Sequence, residues 1–438
     1  MTVLAENLEA RTSRYTFEGF REAIVALVFI SSFFVKIEPA LTDVLGVAVI
    51  FLYARSGLRF SRALAAPLLL LILYLVSGIV SAIPIDLPSH FEGGHTAPQY
   101  ALVLAYTSLT GIFLAAYIAA NPIDRYLAVE KAYWIGATLG ALLALLAYFR
   151  VEPVLSLLRA TGEESFGDYV WRATGGFKDP NVFSTWLVFP AVTMMQAFLV
   201  GRLKPNFISI FGFLLILAGL FFAFSRGAWI DTVAAGALTI LFTAILSPSP
   251  SQRLRIVGVT IVGLVALGAL FAVLLSMPDI HAAFFDRFTL VKEYDVGETG
   301  RFGNQLNAIP MLLTHPFGLG PYQFQEIFGI APHNTFLNSF ASGGWIGGFS
   351  YLTLFAANVM MGIKTIFSRS PYQQMAIPVF TTLIVMTLQG IQIDNEHWRH
   401  IYWMMGMGWG FFAANQDRQV EAFKRTDIQS GWPAQPTP

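Results

Sequence analysis

The chain has 438 residues, 55 % of them hydrophobic and only 12 % charged; 27 Lys and Arg balance 27 Asp and Glu, and there is no cysteine. A soluble domain carries about 25 % charged residues, so the composition points to a polytopic membrane protein. Zero net charge gives no basic field for nucleic acid, and the lack of cysteine excludes disulfides, thiol catalysis and cysteine metal sites.

The first segment, MTVLAENLEARTSRYTFEGFRE, is polar and mixed in charge. It has no compact apolar core followed by a small-residue cleavage site, and reads as a cytoplasmic lead-in rather than a signal peptide. Apolar runs of about 20 residues, the length that crosses a bilayer, follow. They predict twelve spans near 20–37, 41–54, 64–84, 99–120, 127–148, 180–200, 206–224, 227–247, 255–276, 334–362, 373–391 and 398–415. The expected fold is an all-α polytopic integral membrane protein of about 12 transmembrane helices. It forms one membrane domain over 1–438, with a large outer loop between helices 9 and 10.

Lys and Arg gather on the cytoplasmic side of membrane proteins. With both termini inside, 17 of the 27 basic residues fall on the inner side. The inner loops are then short and basic, and the long mixed segments 149–179 and 277–333 lie outside. All seven histidines (His90, His95, His281, His315, His333, His397 and His400) then fall on or beside the outer face. Asp231 is the one acidic residue clearly within a span. An intramembrane charge suggests function, yet its place near the helix end equally suits pairing with an arginine.

Basic residues on the outer side oppose the charge rule and mark candidates. Arg226 sits in FAFSRGAWID, in a turn so short that it must lie at the membrane surface. It reads as a phosphate ligand or as a snorkelling arginine. Arg172 and Lys178 lie in WRATGGFKDPN. Asp179 there caps the next helix, with Pro180 at its first position, which leaves the two cations unexplained. Arg301 lies in the large outer loop, as a phosphate ligand or a solvated charge.

The tenth span opens with PHNTFLNSFASGGWIGG. Asn334 is placed to cap it. Gly343 with Gly347 and Gly344 with Gly348 are small-xxx-small pairs, read as close helix packing. His333 taken alone reads as structural or as a base. Arginine forks suit phosphate oxygens, and a neutral imidazole can take a proton from a hydroxyl. An arginine cluster beside a histidine on the outer face therefore describes glycosyl transfer from a lipid diphosphate, whose departure is stabilised electrostatically. No Asp-x-Asp pair of the metal-dependent sugar transferases occurs, which favours a reaction with no metal and no cofactor.

HNTFLNSFASGGWIG, with His-Asn followed after nine residues by Gly-x-x-Gly, resembles the signature of bacterial O-antigen ligases. The same carboxy-terminal module occurs in O-antigen and exopolysaccharide polymerases. SRGAW, GFKDPN and the GR…HPFGLGPYQF segment resemble this superfamily too, over about residues 170–350. The resemblance implies that His333 is the catalytic histidine, which activates the acceptor hydroxyl. It implies that Arg226 and Arg301 bind undecaprenyl diphosphate, with Arg172 and Lys178 in a matching basic region. In the turn DNEHWRH, Asp394, His397 and Arg399 are candidates for completing an acceptor or phosphate site alongside Asn334; the competing reading is a polar interfacial turn with Trp398 in the aromatic belt.

The implied activity is a membrane glycosyltransferase at the periplasmic face of the bacterial inner membrane. It moves an undecaprenyl-diphosphate-linked glycan to an acceptor sugar hydroxyl: lipid A-core for a ligase, a second lipid-linked glycan for a polymerase. A protein-directed oligosaccharyltransferase is a third variant. A lipid-linked oligosaccharide flippase or transporter is the reading from another class. Transporters tend to place polar or broken helices at mid-membrane in related halves, whereas here the polar residues concentrate in two outer segments.

Overall fold

The computed structural model describes residues 2–55, 57–85, 96–160, 172–288, 297–298 and 300–430. His90, His95 and parts of both long segments read as outer loops lie outside the described residues. The described residues contain helices and no strand, with one isolated bridge between Phe34 and Gly176.

The chain divides into two compact units, Met1–Gly57 with Asp124–Thr289, and Leu58–Ile123 with Leu290–Pro438. The first holds α1 (Thr2–Ser31), α2 (Leu41–Tyr53), nearly all of α5 (Pro122–Tyr148), α6 (Val154–Ala160), α7 (Pro180–Val200), α8 (Phe207–Phe222), α9 (Arg226–Ile245), α10 (Pro250–Leu275) and α11 (Pro278–Phe288). The second holds α3 (Ala65–Ala82), α4 (Ala97–Ala120), α12 (Arg301–Thr314), α13 (Gln323–Phe328), α14 (Thr335–Ile366), α15 (Gln373–Gln389) and α16 (Arg399–Ser430).

A helix overlies each interval in which a span was predicted. Among the described residues seven helices are long and apolar enough to cross a membrane: Arg62–Ala82, Ala97–Ala120, Pro122–Tyr148, Pro180–Val200, Arg226–Ile245, Pro250–Leu275 and Thr335–Ile366. α2 and α8 are apolar but shorter. The stretch 277–333, read as a loop, contains α11, α12 and α13. These helices are too short or too polar to register in a window scaled to a bilayer.

In the first unit, the Asp179 carboxylate accepts the amides of Asn181 and Val182, and Pro180 opens α7, as the sequence suggested. Asp231 on α9 is buried, and its Oδ2 has no hydrogen-bond partner among the described residues. Among the described residues no arginine pairs with that oxygen, so the pairing alternative finds no support there. The buried Glu130 of α5 instead takes the guanidinium of Arg202 in a two-pronged pair.

In the second unit α16 packs on α4 and α3 packs on α14. Gly111 lets the α16 backbone close in: a Cβ there would stand 2.8 Å from the Tyr402 carbonyl. Gly343 and Gly347 do the same for α3, since a Cβ on either would meet Ser77 Oγ at 2.7 or 2.8 Å. The packing expected of this glycine pair is thus present.

Gly344 differs. Its φ of 64° and ψ of −158° break α14, in a region open essentially to glycine alone. An unbroken helix would bond the Trp345 amide to the Ala341 carbonyl. Instead Trp345 N donates to Pro316 O at 2.9 Å, and Ala341 O accepts Leu319 N at 2.7 Å and Gly320 N at 3.1 Å. The HPFGLG segment is thereby laced into the break and satisfies the groups the break sets free. The Trp345 indole adds a bond to Leu312 O at 3.1 Å. This anchors α12 and its connection to α14 in the third turn of α14.

Candidate active site

His333 immediately precedes the cap of α14 and is held at φ 46°, a left-handed conformation that an L-residue seldom adopts. Asn334 is the cap, its Oδ1 accepting the Leu337 amide at 3.1 Å. The unusual backbone is fixed from the α15–α16 turn. Asp394 accepts the His333 amide on Oδ2 at 2.9 Å and the Asn334 amide on Oδ1 at 2.8 Å. Next to them Thr335 N donates to Gly390 O at 2.6 Å. From the other side the Gln305 side chain of α12 donates to Pro332 O at 2.7 Å. His333 is thus held at the start of α14 between the α15–α16 turn and α12.

A second carboxylate, not singled out from the sequence, lies beneath this turn. Glu396 is 1 % exposed. It accepts the Tyr100 hydroxyl of α4 at 2.6 Å and the Asn338 side-chain amide at 2.8 Å, and stands 3.0 Å from the Thr335 hydroxyl, whose one proton Ile393 O and Asn395 Oδ1 also reach at 3.0 Å. Its own carbonyl accepts Tyr402 OH at 2.7 Å. His397 Nδ1 stands 3.7 Å from Glu396 Oε1, with the histidine side chain 43 % exposed. Trp398 is buried, so it does not join an exposed aromatic belt.

The two carboxyl groups titrate apart. Burial, then the charge of Glu396, pushes Asp394 up to about 7, against the pull of the two amides and His397. Burial also disfavours the Glu396 anion, but His397, and then the Tyr100 hydroxyl, outweigh it and hold that group at about 2. Paired groups pushed apart in this way are a feature of acid–base sites.

Arg301 reaches the same turn: its Nη1 donates to Gln392 O at 3.4 Å, and its guanidinium lies 4.9 Å from the Phe302 ring centre. Of the predicted residues, the second unit therefore gathers Arg301, His333, Asn334, Asp394 and His397 around one turn. Arg399 is the first residue of α16, two positions past His397.

The other predicted cations belong to the first unit. Arg226 is the first residue of α9 and follows Phe224, itself left-handed at φ 46°. Arg172 Nε donates to Ala223 O at 2.7 Å and Nη2 to Asn181 Oδ1 at 2.8 Å, tying its segment to the turn before Arg226. Lys178 turns elsewhere, to Glu38 at 3.0 Å, in an exposed ion pair.

Arg226 and Arg301 share an unusual placement. Each is the first residue of its helix, and neither helix has a side-chain cap, the preceding residues being Ser225 and Gly300. A helix amino terminus carries partial positive charge and unsatisfied amides, so a cation there is disfavoured and an anion favoured. Each place is suited to a phosphate.

The fold and these sites define the class: an all-α protein with several membrane-compatible helices and a polar cluster at helix ends. Residues 211–352 match the family described as O-antigen ligase, which supports the O-antigen ligase and polymerase superfamily for this protein. The matched stretch contains Arg226, Arg301, His333 and Asn334, and ends before Asp394, Glu396 and His397. A search of curated proteins gave no match.

Proposed function

We propose that this protein is a glycosyltransferase of cell-surface polysaccharide assembly. It transfers a glycan from undecaprenyl diphosphate to a sugar hydroxyl, at the periplasmic face of the bacterial inner membrane and with both termini in the cytoplasm. The observation that carries the reading is the Asp394 clamp. It holds the His333 backbone in a left-handed turn at the mouth of α14, on the turn that Arg301 also reaches.

In the proposed reaction His333 takes the proton of the acceptor hydroxyl, and the oxygen attacks the anomeric carbon with inversion. The bond from that carbon to the diphosphate breaks, and its electron pair leaves on the phosphate. Arg301 compensates the diphosphate charge, with the amino terminus of α12 adding amide donors; Arg226, at the amino terminus of α9, is proposed as a diphosphate ligand on the family resemblance. Arg172 supports the turn before Arg226, and Lys178 is the weakest of the proposed phosphate ligands because Glu38 already occupies it. No metal and no cofactor enters this scheme.

Ligase and polymerase differ in acceptor, lipid A-core in one and a second lipid-linked glycan in the other. The discriminating experiment deletes the protein in its host. Loss of a ligase strands long chains on the lipid carrier, whereas loss of a polymerase leaves single repeat units on the acceptor. Unaltered surface glycan, with a lipid-linked precursor held at the inner leaflet, would instead favour a flippase.

A further inference from the structure

Tyr322 stands where turn chemistry favours other residues. Gly320 to Gln323 form a turn closed by Gln323 N donating to Gly320 O at 3.2 Å, with Pro321 second and Tyr322 third. Tyr322 has φ 66° and ψ −9°, the values of the third residue of a type II turn. Glycine or asparagine takes that place with least strain, whereas a bulky L-residue there is an outlier. The base of the turn is fixed: Gly320 N donates to Ala341 O at 3.1 Å, and a Cβ on Gly320 would stand 2.9 Å from Ser81 O. A local rule broken in this way is expected where function needs the side chain. The Tyr322 ring meets Tyr100 of α4 edge to face, with centroids 5.3 Å apart and planes at 75°. The His397 ring lies 6.3 Å from the same Tyr100 ring. Tyr100 is 8 % exposed, and its hydroxyl donates to Glu396 at 2.6 Å, which ties the row of rings to the turn that clamps the His333 backbone. Tyr322 is half-buried and the His397 side chain is 43 % exposed, so both outer rings of the row reach the surface.

We propose that Tyr322, backed by Tyr100, is the stacking platform of a carbohydrate subsite that takes one pyranose ring of the glycan beside the transfer turn. The assignment rests on the glycosyl-transfer reading above and deepens it by naming a residue that recognises the sugar. A pyranose is amphipathic: it has a face of C–H bonds and a rim of hydroxyls. The C–H face is drawn to the face of an aromatic ring, where the ring quadrupole is negative. The edge-to-face contact with Tyr100 orients the two rings without stacking one upon the other. Gln323 and Glu326, both half-buried, bring polar groups that suit the hydroxyl rim. Holding the ring on a strained, anchored turn also limits the side-chain freedom lost on binding. Tyr322 moves no proton in this scheme. It binds and orients, so its effect falls on substrate affinity rather than on the chemical step. Donor glycan and acceptor glycan offer the same pyranose chemistry, and separate probes distinguish them.

The test compares Tyr322→Asn and Tyr322→Phe with wild type in the full-length protein. Asparagine accepts the left-handed turn but has no ring; phenylalanine keeps the ring. Binding is titrated with two probes, the free oligosaccharide released from an undecaprenyl-diphosphate-linked donor and lipid-free core oligosaccharide. Transfer kinetics use the intact donor, with lipid A-core or a second copy of the donor as acceptor. Tyr322→Asn is expected to weaken binding of at least one oligosaccharide by about threefold to tenfold. The KM of the substrate that carries it should rise by a similar factor, with kcat little changed, and Tyr322→Phe should stay near wild type. The oligosaccharide that loses affinity identifies the sugar on the platform. A Tyr322→Asn protein that binds both probes as tightly as wild type overturns the proposal. So does a fall in unfolding temperature and kcat with both affinities unmoved, the mark of a purely structural tyrosine. Should Tyr322→Asn fail to fold, Tyr322→Gly, the residue this turn favours, decides by the same readouts. Wild-type protein that transfers no glycan contradicts the parent reading; wild-type transfer whose KM values Tyr322→Asn leaves unchanged contradicts the subsite alone.

Discussion

The Asp394 carboxylate accepts the backbone amides of His333 and Asn334 at 2.9 and 2.8 Å, across 61 and 60 residues of chain. Neither bond involves the imidazole. Asp394 sets where the ring stands by fixing the left-handed backbone beneath it, and such a backbone persists only when its surroundings hold it.

Asp394→Asn replaces one of the two acceptor oxygens with a donor, so one amide loses its partner. Transfer is expected to fall at least about tenfold in kcat, with the KM for the lipid donor little changed, because the phosphate ligands are untouched. Steady-state kinetics on membranes matched for protein level checks this. Unchanged kcat would mean that the His333 backbone needs no clamp.

The raised Asp394 gives a stability signature with a defined sign. A carboxyl whose native value is about 7, against about 4 in the unfolded chain, binds its proton more tightly when folded. Its contribution is fully present below about pH 4 and is lost as the pH rises to about 7. The stability of wild type relative to Asp394→Asn should therefore decline across that window and level off above it. Thermal unfolding in detergent at a series of pH values measures the difference; a flat or rising difference contradicts the assignment.

Much of this was legible in the sequence, and the limits have physical causes. Hydropathy located the long helices because bilayer thickness sets their length. It passed over α12 and α13, which are too short to cross a bilayer. Pro180 and Asn334 were readable as helix-start signals because capping is local. Asp394 and His397 were visible as polar residues in one turn, but the partner of Asp394 lies some 60 residues away, and no spacing rule reaches that far. Glu396 stood in the same quoted turn and was passed over, since burial cannot be read from a polar heptapeptide. The glycines of SGGWIGG all suggested packing. Only coordinates separate Gly343 and Gly347, which approach Ser77, from Gly344, which breaks the helix.

The helix-start arginines give a prediction about chemistry rather than charge. Arg301→Lys and Arg226→Lys preserve the positive charge but lose the planar fork. Each is expected to lower kcat/KM for the lipid-linked donor by about tenfold or more, at roughly 1–3 kcal/mol per charge-assisted bond lost. Wild-type kinetics in either lysine variant would argue against a two-pronged phosphate contact at that position.

Gly344→Ala tests the break in α14. The added methyl would run into the Pro316 carbonyl and impose a side chain on a backbone at φ 64°. The expected loss is about 1–3 kcal/mol from the backbone alone, seen as a lower unfolding temperature and loosened protease protection around 315–320. Gly258→Ala is the control, because nothing stands within 4 Å of a Cβ there. Equal behaviour of the two variants would show that the laced segment does not depend on the break.

The central claim is that His333 removes the acceptor proton. Its most direct measurement is glycan transfer by His333→Ala, with membrane insertion and thermal stability compared with wild type. The account predicts normal insertion, near-normal stability, since the clamp binds backbone amides that alanine retains, and transfer reduced by about 10²-fold or more. A well-inserted His333→Ala protein that transfers glycan at the wild-type rate would contradict it.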